Sequence, residues 1–142
     1  MSASETPAGE QLSKEEFIAK GDALCAEELK GHEVAEEAYQ AAGGTSLPAL
    51  ARSDEARVRA TEKLIAQFEP LQPPDDAGKA LKQAFLESNR RFVANSRTRI
   101  AAAKKGDLAA VGRANPGLQD QRRTGDMADY GFEECSILEP EP

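Results

Sequence analysis

The sequence predicts an all-α protein, an up-down-up-down four-helix bundle with one disulfide that joins helix 1 to the C-terminal segment. Three long stretches carry apolar residues at intervals of three and four, and no stretch alternates like a strand. Aromatic residues make up only 5% of the chain and Trp is absent, so small and aliphatic side chains must build closely packed helices. The third observation is a pair of cysteines, Cys25 and Cys135, near opposite ends of 142 residues.

Helix 1 is predicted to begin at Lys14. Ser13 and Glu16 have the spacing of a capping box, in which each side chain satisfies a free amide of the other residue at a helix start. The apolar stripe of this helix then contains Phe17, Ile18, Gly21, Leu24, Cys25 and Leu29. Gly43-Gly44 is the predicted stop. The polar residues 1–12 before the helix are predicted to be a flexible N-terminal tether.

Helix 2 is predicted to start after Thr45 or Ser46. Pro48 is compatible with the first turn, where its missing amide costs nothing. The helix carries its stripe on Leu47, Leu50, Ala51, Val58, Leu64, Ile65 and Phe68. Pro70 ends it, because proline cannot continue the helical hydrogen bonding.

Helix 3 is predicted to follow Asp75 and Asp76, whose negative charges suit the N-terminal end of a helix dipole. Its long apolar face contains Leu81, Ala84, Phe85, Ser88, Phe92, Val93, Ile100 and Ala103. Gly106 closes the segment.

Helix 4 is predicted to be capped by Asp107 and to carry a thin stripe of Leu108, Val111, Leu118 and Met127. Asn115-Pro116-Gly117 interrupts it and predicts a kink or a break. Gly131 is a natural C-terminal cap, after which Phe132 can fold back onto the helix end. The predicted bundle domain therefore covers 13–136, and 137–142 is an acidic tail.

The two cysteines can meet in this topology, because helix 4 would run antiparallel to helix 1 and end beside its start. Cys25 lies about 16 Å beyond Lys14 at about 1.5 Å per residue. The four residues from Gly131 to Cys135 can span about 13 Å. The alternative is two buried free thiols in a cytosolic protein, whereas a redox-active pair is disfavoured because there is no Cys-x-x-Cys motif.

A disulfide of this kind persists in oxidising compartments, so the pairing predicts an extracellular or envelope-associated protein. Met1–Glu10 has no basic region followed by an apolar one, so an exported protein would be present here in its mature form, without its signal peptide. No run approaches the roughly 18 apolar residues of a membrane span. Secretion and lipid anchoring both stay open.

His32 is the only histidine, and Glu28 and Glu36 lie four residues to either side of it. One helical face could therefore present two carboxylates and an imidazole to a metal ion. This metal set is the weaker of two interpretations. The other is a histidine at a helix interface, flanked by glutamates in water.

Charge is divided unevenly along the chain. Residues 14–42 contain eight acids and three bases, whereas residues 70–106 contain three acids and eight bases. Arg90, Arg91 and Arg97 form a candidate anion-binding face for an anionic surface. The alternative is that these arginines pair with acids of neighbouring helices. The net charge of −7 argues against nucleic acid as a partner.

The sequence contains no Ser-His-Asp set, phosphate-binding glycine loop or nucleotide fingerprint. We therefore expect an extracytoplasmic helical-bundle binding or interaction module that is not an enzyme and has no cofactor. The alternative is a bundle that binds a small ligand or a metal. Its partner is unidentified, and another envelope protein or an anionic surface are the two candidates.

Two segments resemble a known group of proteins, namely residues 12–26, which read LSKEEFIAKGDALCA, and residues 130–135, which read YGFEEC. They resemble small secreted or lipid-anchored helical proteins of actinobacteria, most of which are uncharacterised. The resemblance covers about a fifth of the chain. It implies an extracytoplasmic helical bundle with paired cysteines, and it implies no activity.

Overall fold

A computed structural model describes residues 10–114 and 121–136 of the chain. These residues form the helices α1 (Lys14–Ala41), α2 (Leu47–Phe68), α3 (Asp76–Lys104), α4 (Leu108–Arg113) and α5 (Gln121–Tyr130), followed by a 3₁₀ turn at Glu134–Ser136. Within these residues there is no strand, only an isolated β-bridge between Gln11 and Gln72. The predicted all-α class is confirmed.

The ends of the three long helices follow the predicted signals. Ser13 and Glu16 form the capping box, with Glu16 N donating to Ser13 Oγ at 3.1 Å and Ser13 N donating to Glu16 Oε1 at 3.0 Å. Ser46 and Asp75 cap α2 and α3 through one side-chain oxygen each, which accepts from Ala49 N and Gly78 N. Gly43 and the glycine after it have φ of +101° and +70°, which a side chain would disfavour, and they end α1.

Neighbouring long helices run antiparallel. Between α1 and α2, Lys63 donates to Glu27 at 2.6 Å, and Ser53, earlier in α2, donates to the carbonyl of Ala35, later in α1. Three ion pairs link α2, or the Glu69 that follows it, to α3, and they repeat every seven residues: Glu55 with Lys104, Glu62 with Arg97 and Glu69 with Arg90. A seven-residue repeat of pairs is typical of helices packed side by side as in a coiled coil.

The chain after α3 forms two short helices where the sequence predicted one interrupted helix. Asp107 caps the first of them, α4, as predicted, by accepting from Ala110 N at 3.0 Å. Helix α4 packs against α3, and α5 packs against α3 and the 3₁₀ turn. The predicted kink at Pro116 lies outside the described residues, as do most of the tether and the tail, so the count of four helices stays a prediction.

The apolar core fills one end of the molecule, where α1 and α3 begin and α2 and α5 end. Its buried members are Leu12, Phe17, Cys25, Leu64, Phe68, Phe85, Leu86, Met127, Phe132 and Cys135. Phe17 makes edge-to-face contacts with the rings of Phe68, Phe132 and Tyr130 at centroid distances of 5.4 to 6.0 Å. Leu12 is buried in this core, so the packed domain begins before Ser13, inside the predicted tether.

The predicted disulfide joins Cys25 of α1 to Cys135 of the 3₁₀ turn, with 5.1 Å between the two Cα atoms. The chain reverses after α5 at Gly131, whose φ is +127°. Phe132 then packs against α1 at Gly21, where an added Cβ would lie 2.6 Å from the Phe132 ring. The C-terminal segment is thus held against α1 by a bond and by a close contact that needs a glycine.

Asp22 holds the same segment from α1. Its Oδ2 accepts from Glu133 N at 3.1 Å, and its Oδ1 accepts from Glu134 N and Cys135 N at 2.9 and 3.1 Å. One carboxylate therefore satisfies three amides at the start of the 3₁₀ turn, as an N-cap residue does for its own helix. Here the cap comes from another element, more than a hundred residues away in sequence.

We expect Asp22→Asn to lower the free energy of unfolding by about 1–2 kcal/mol, because hydrogen bonds to a charged acceptor are stronger than those to an amide. Urea unfolding measures the loss, and hydrogen exchange should show faster exchange at Glu134 N and Cys135 N. Glu33→Gln, an exposed substitution on the same helix, is the control and should change neither. Unchanged exchange at the two amides in Asp22→Asn would contradict the assignment.

Tyr130, the last residue of α5, donates its hydroxyl to Asp75 Oδ1 at 3.1 Å. Partial burial, followed by the hydrogen bond to Asp75 and its negative charge, raises the pKa of Tyr130 to about 12 from an ordinary value of about 10. An unfolded chain loses this proton near pH 10, whereas the folded protein keeps it until about pH 12. The contribution of this group to stability is therefore complete below about pH 10 and is lost as the pH rises to about 12.

The chain has two tyrosines, so the pKa of Tyr130 can be measured in the Tyr39→Phe variant, in which Tyr130 is the only tyrosine. We expect its phenolate absorbance to rise with a midpoint near pH 12 while circular dichroism shows that the helices persist. Adding Asp75→Asn should lower the midpoint only partly, because burial is the larger cause. A midpoint near the ordinary pH of about 10 in folded protein would show that Tyr130 is not held in this way.

Candidate functional site

Above the apolar core, the helix interfaces contain a buried layer of polar side chains. We call it the polar layer and define it as Glu28, His32, Glu36, Asp54, Arg57, Thr61 and Arg99. All of these except Glu36 are buried, and Glu36 is 22% exposed. Buried charges are rare unless they are paired, so this layer is the part of the molecule that packing alone does not explain.

His32 lies at the centre of the polar layer and hydrogen bonds through both ring nitrogens. Arg57 Nη1 lies 3.1 Å from Nδ1, and Thr61 Oγ1 lies 3.1 Å from Nε2. A guanidinium can only donate, so Nδ1 must accept and the ring proton is assigned to Nε2. The ring of His32 also contacts that of Phe92, with 5.6 Å between centroids.

The geometry does not bring Glu28, His32 and Glu36 together as metal ligands. Glu28 Oε2 lies 3.9 Å from His32 Nε2, whereas Glu36 Oε2 accepts from Arg57 Nη2 at 3.0 Å. Both nitrogens of His32 already have protein partners. Across the described residues, no three His, Cys, Asp or Glu side chains are placed to hold a metal ion. His32 is an interfacial histidine, but Glu28 beside it is buried and not in water as the second interpretation expected.

Asp54 and Arg99 form a second buried contact in the polar layer, between α2 and α3. Arg99 Nε and Nη2 donate to the two oxygens of Asp54, each at 2.7 Å. Asp54 is 1% exposed. This bidentate geometry is the strong form of an arginine–carboxylate pair, and it fixes the register of the two helices at this level.

A cavity of about 210 Å³ opens between α1 and α2 beside the polar layer. It is lined by Leu24, Glu27, Glu28, Gly31, Ala60, Lys63, Leu64 and Gln67. The helices approach closely at its edge, because a Cβ on Gly31 would lie 2.8 Å from that of Ala60. Glu28 is the member that the cavity shares with the polar layer.

The charges around this cavity are not equivalent. Glu27 and Lys63 are both 55% exposed and form an ion pair with each other at 2.6 Å. Glu28 is 8% exposed, lines the cavity together with Leu24 and Leu64, and has its Oε2 3.9 Å from His32 Nε2. The cavity therefore combines apolar walls with one buried carboxyl group.

A second depression of about 430 Å³ lies between the start of α3 and α5. Its lining is Ala77, Ala80, Leu81, Ala84, Asp126, Asp129 and Tyr130. The two aspartates are exposed, so water solvates their charges. This depression has no buried ionisable group comparable with Glu28.

The predicted anion-binding face lies on α3, and ion pairs occupy two of its three arginines. Arg90 contacts Glu69 at 3.5 Å, and Arg97 donates to Glu62. Arg91 is exposed and has no ion pair with any described residue. These contacts support the alternative of surface pairs between neighbouring helices, and binding of an anionic surface stays a prediction.

Sequence reasoning missed the buried charges of α2 and α3. Asp54, Arg57 and Thr61 continue the three-and-four spacing that leads to Leu64 and on to Phe68, so they occupy the buried face of α2. This spacing along α2 was the sequence signal that could have predicted their burial. The signal was overlooked because charged residues are mostly exposed in folded proteins.

Comparison of the chain with protein-family models, with curated proteins and with solved structures finds no match. Among the helices of the described residues, none combines the length and the apolar character needed to cross a membrane.

Proposed function

We propose that this protein works outside the cytoplasm as a disulfide-stapled helical module that binds a partner or a ligand and catalyses no reaction. The observation that carries the proposed compartment is the Cys25–Cys135 bond. Both cysteines of the chain take part in it, and structural disulfides persist where the surroundings are oxidising. The resemblance to secreted and lipid-anchored actinobacterial proteins agrees with this proposal.

The proposed binding role is supported by the cavity between α1 and α2, where a buried carboxyl group faces a concave and partly apolar surface. An anionic surface is the less favoured partner, since Glu69 and Glu62 already pair with Arg90 and Arg97. A protein partner in the envelope or a small ligand agrees better with the charges.

Thiol trapping in the source organism tests the compartment. Cells are treated with a permeant alkylating agent before lysis, fractionated, and the protein is analysed by mass spectrometry with and without later reduction. We expect Cys25 and Cys135 to stay unmodified until a reductant is added, and the protein to be in the extracytoplasmic fraction. Two alkylated thiols in the native protein would overturn the proposed compartment.

A further inference from the structure

We propose that a second copy of this chain docks on the depression between α3 and α5, with Leu108 of one molecule seated in the depression of the next. The proposal goes beyond the function proposed above, because it uses neither the cavity between α1 and α2 nor the disulfide. It joins three observations, which are an exposed leucine, a partly apolar depression lined by acids, and an uneven distribution of charge between the two ends of the molecule.

The exposed leucine lies among positive charges. Leu108, the first residue of α4, is the most exposed large apolar side chain of the described residues, at 71%, and Val34 follows at 65%. Lys104 and Lys105 precede Leu108 at the end of α3, and both are exposed. Lys105 has no ion pair with any described residue. We call Lys104, Lys105 and Leu108 the basic knob, an apolar side chain with a charged rim as in many protein interfaces.

The depression is complementary to the basic knob in shape and charge. Helix α3 contributes three alanines and Leu81 to its lining, and α5 contributes Asp126, Asp129 and Tyr130. Its volume is about 430 Å³, whereas the side-chain carbons of Leu108 need only about 120 Å³, at about 30 Å³ for each group the size of a water molecule. The alkyl part of a lysine can therefore enter as well, with its ammonium group at the edge. Both aspartates are exposed and have no ion pair with a described residue, so they are available to that ammonium group.

The charges of the whole molecule are divided in the same sense. At the end where α1 and α3 stop and α2 and α4 begin, residues 41–52 and 104–114 contain four bases and one acid. At the opposite end, residues 10–16, 69–79 and 125–136 contain ten acids and two bases. The basic end of one molecule and the acidic end of another therefore attract each other.

The basic knob and the depression are too far apart to meet within one molecule. The helix between Ala80 in the depression and Lys104 in the knob is about 36 Å long, at about 1.5 Å per residue. In about 0.1 M salt the screening length is about 10 Å, so a second molecule senses each end separately and not the net charge of −7. Because the two contacting surfaces are different, the contact is head-to-tail and leaves a knob and a depression free for further copies.

Small-angle X-ray scattering of the whole protein over a concentration series tests the association. One leucine and a few exposed ion pairs make a small contact, so we expect a Kd of about 0.1–1 mM in about 0.1 M salt. The average mass should rise past two chains near the upper concentration limit, and association should weaken at least about threefold in about 0.5 M salt. A mass that stays at one chain, stops at two chains or rises with salt would overturn the proposal.

Single-surface variants identify the residues in contact. Leu108→Ser should weaken self-association at least about tenfold, whereas Val34→Ser, which changes the other exposed apolar side chain, should change it less than about twofold. Asp126→Asn with Asp129→Asn should weaken it at least about threefold, because two exposed ion pairs are lost. All four positions are exposed, so circular dichroism should show unchanged helix content. Equal association of Leu108→Ser and the wild-type protein would overturn the proposal.

Mixing two defective variants tests whether the two surfaces pair with each other. Lys105→Gln with Leu108→Ser removes the knob and keeps the depression. Ala84→Lys with Asp126→Asn and Asp129→Asn blocks the depression and keeps the knob. Each variant alone should stay monomeric, whereas an equimolar mixture should form a complex of two chains and none larger. A mixture that stays monomeric while the wild-type protein associates would overturn the proposal. Neither variant changes a cysteine, so thiol trapping tests the proposed compartment separately.

Discussion

Removing the disulfide, with Cys25→Ala and Cys135→Ala together, is expected to lower the free energy of unfolding by about 2–5 kcal/mol. The bond closes a loop of 110 residues, and in the chain-entropy model a loop of about 100 residues corresponds to about 4.7 kcal/mol. Chemical denaturation measures the loss, and the melting temperature should fall by roughly 10 °C for a domain of this size.

The loss should be concentrated at the C-terminal end. The 3₁₀ turn packs on α1 and α5, and α5 contributes Met127 and Tyr130 to the apolar core or its edge. Helix α2 is held by contacts with both α1 and α3. We therefore expect hydrogen exchange to quicken most in Gln121–Ser136 and least in α2, as local opening follows the elements with fewest contacts.

Reductant provides the control for this prediction. Reduced wild-type protein should match the double alanine variant in both its denaturation midpoint and its exchange pattern, and reductant should have no effect on the variant itself. A double variant as stable as the oxidised wild-type protein, with unchanged exchange in α5, would contradict the role of the bond as a structural staple.

The sequence predicts the helices well because their limits depend on nearby residues. The capping box of Ser13 and the caps formed by Ser46, Asp75 and Asp107 each act within three residues along the chain. The disulfide could also be predicted, since it needs only the helix order and the reversal at Gly131. These features depend on nearby residues or on the order of the helices, so a single sequence is enough to infer them.

The polar layer could not be predicted in the same way. Asp54 is buried because Arg99 meets it from 45 residues away, and neither helix alone reveals the other. Asp22 is likewise a cap for a turn 111 residues later. The surroundings of His32 were hidden for the same reason, because two partners of its ring, Arg57 and Thr61, come from α2 and not from the turns of α1 on either side.

The Asp54–Arg99 pair gives the second large expected effect. Asp54→Ala should lower the free energy of unfolding by about 3–5 kcal/mol, because it leaves the Arg99 guanidinium buried without its carboxylate. Glu62→Ala is the matched control on the same two helices. It breaks an ion pair at the surface, in which Glu62 is 46% and Arg97 is 61% exposed. We expect that control to cost less than about 1 kcal/mol. Equal losses in the two variants would contradict the assignment.

The double variant separates the strength of the pair from the cost of breaking it. Asp54→Ala with Arg99→Met removes both charges and keeps an unbranched apolar chain at 99, so most of the stability lost in Asp54→Ala should return. Recovery would mean that the pair is costly to break but adds little over apolar packing, and that its main effect is to fix the register of α2 against α3. A double variant as unstable as Asp54→Ala would instead mean that the bidentate contact itself stabilises this end of the bundle.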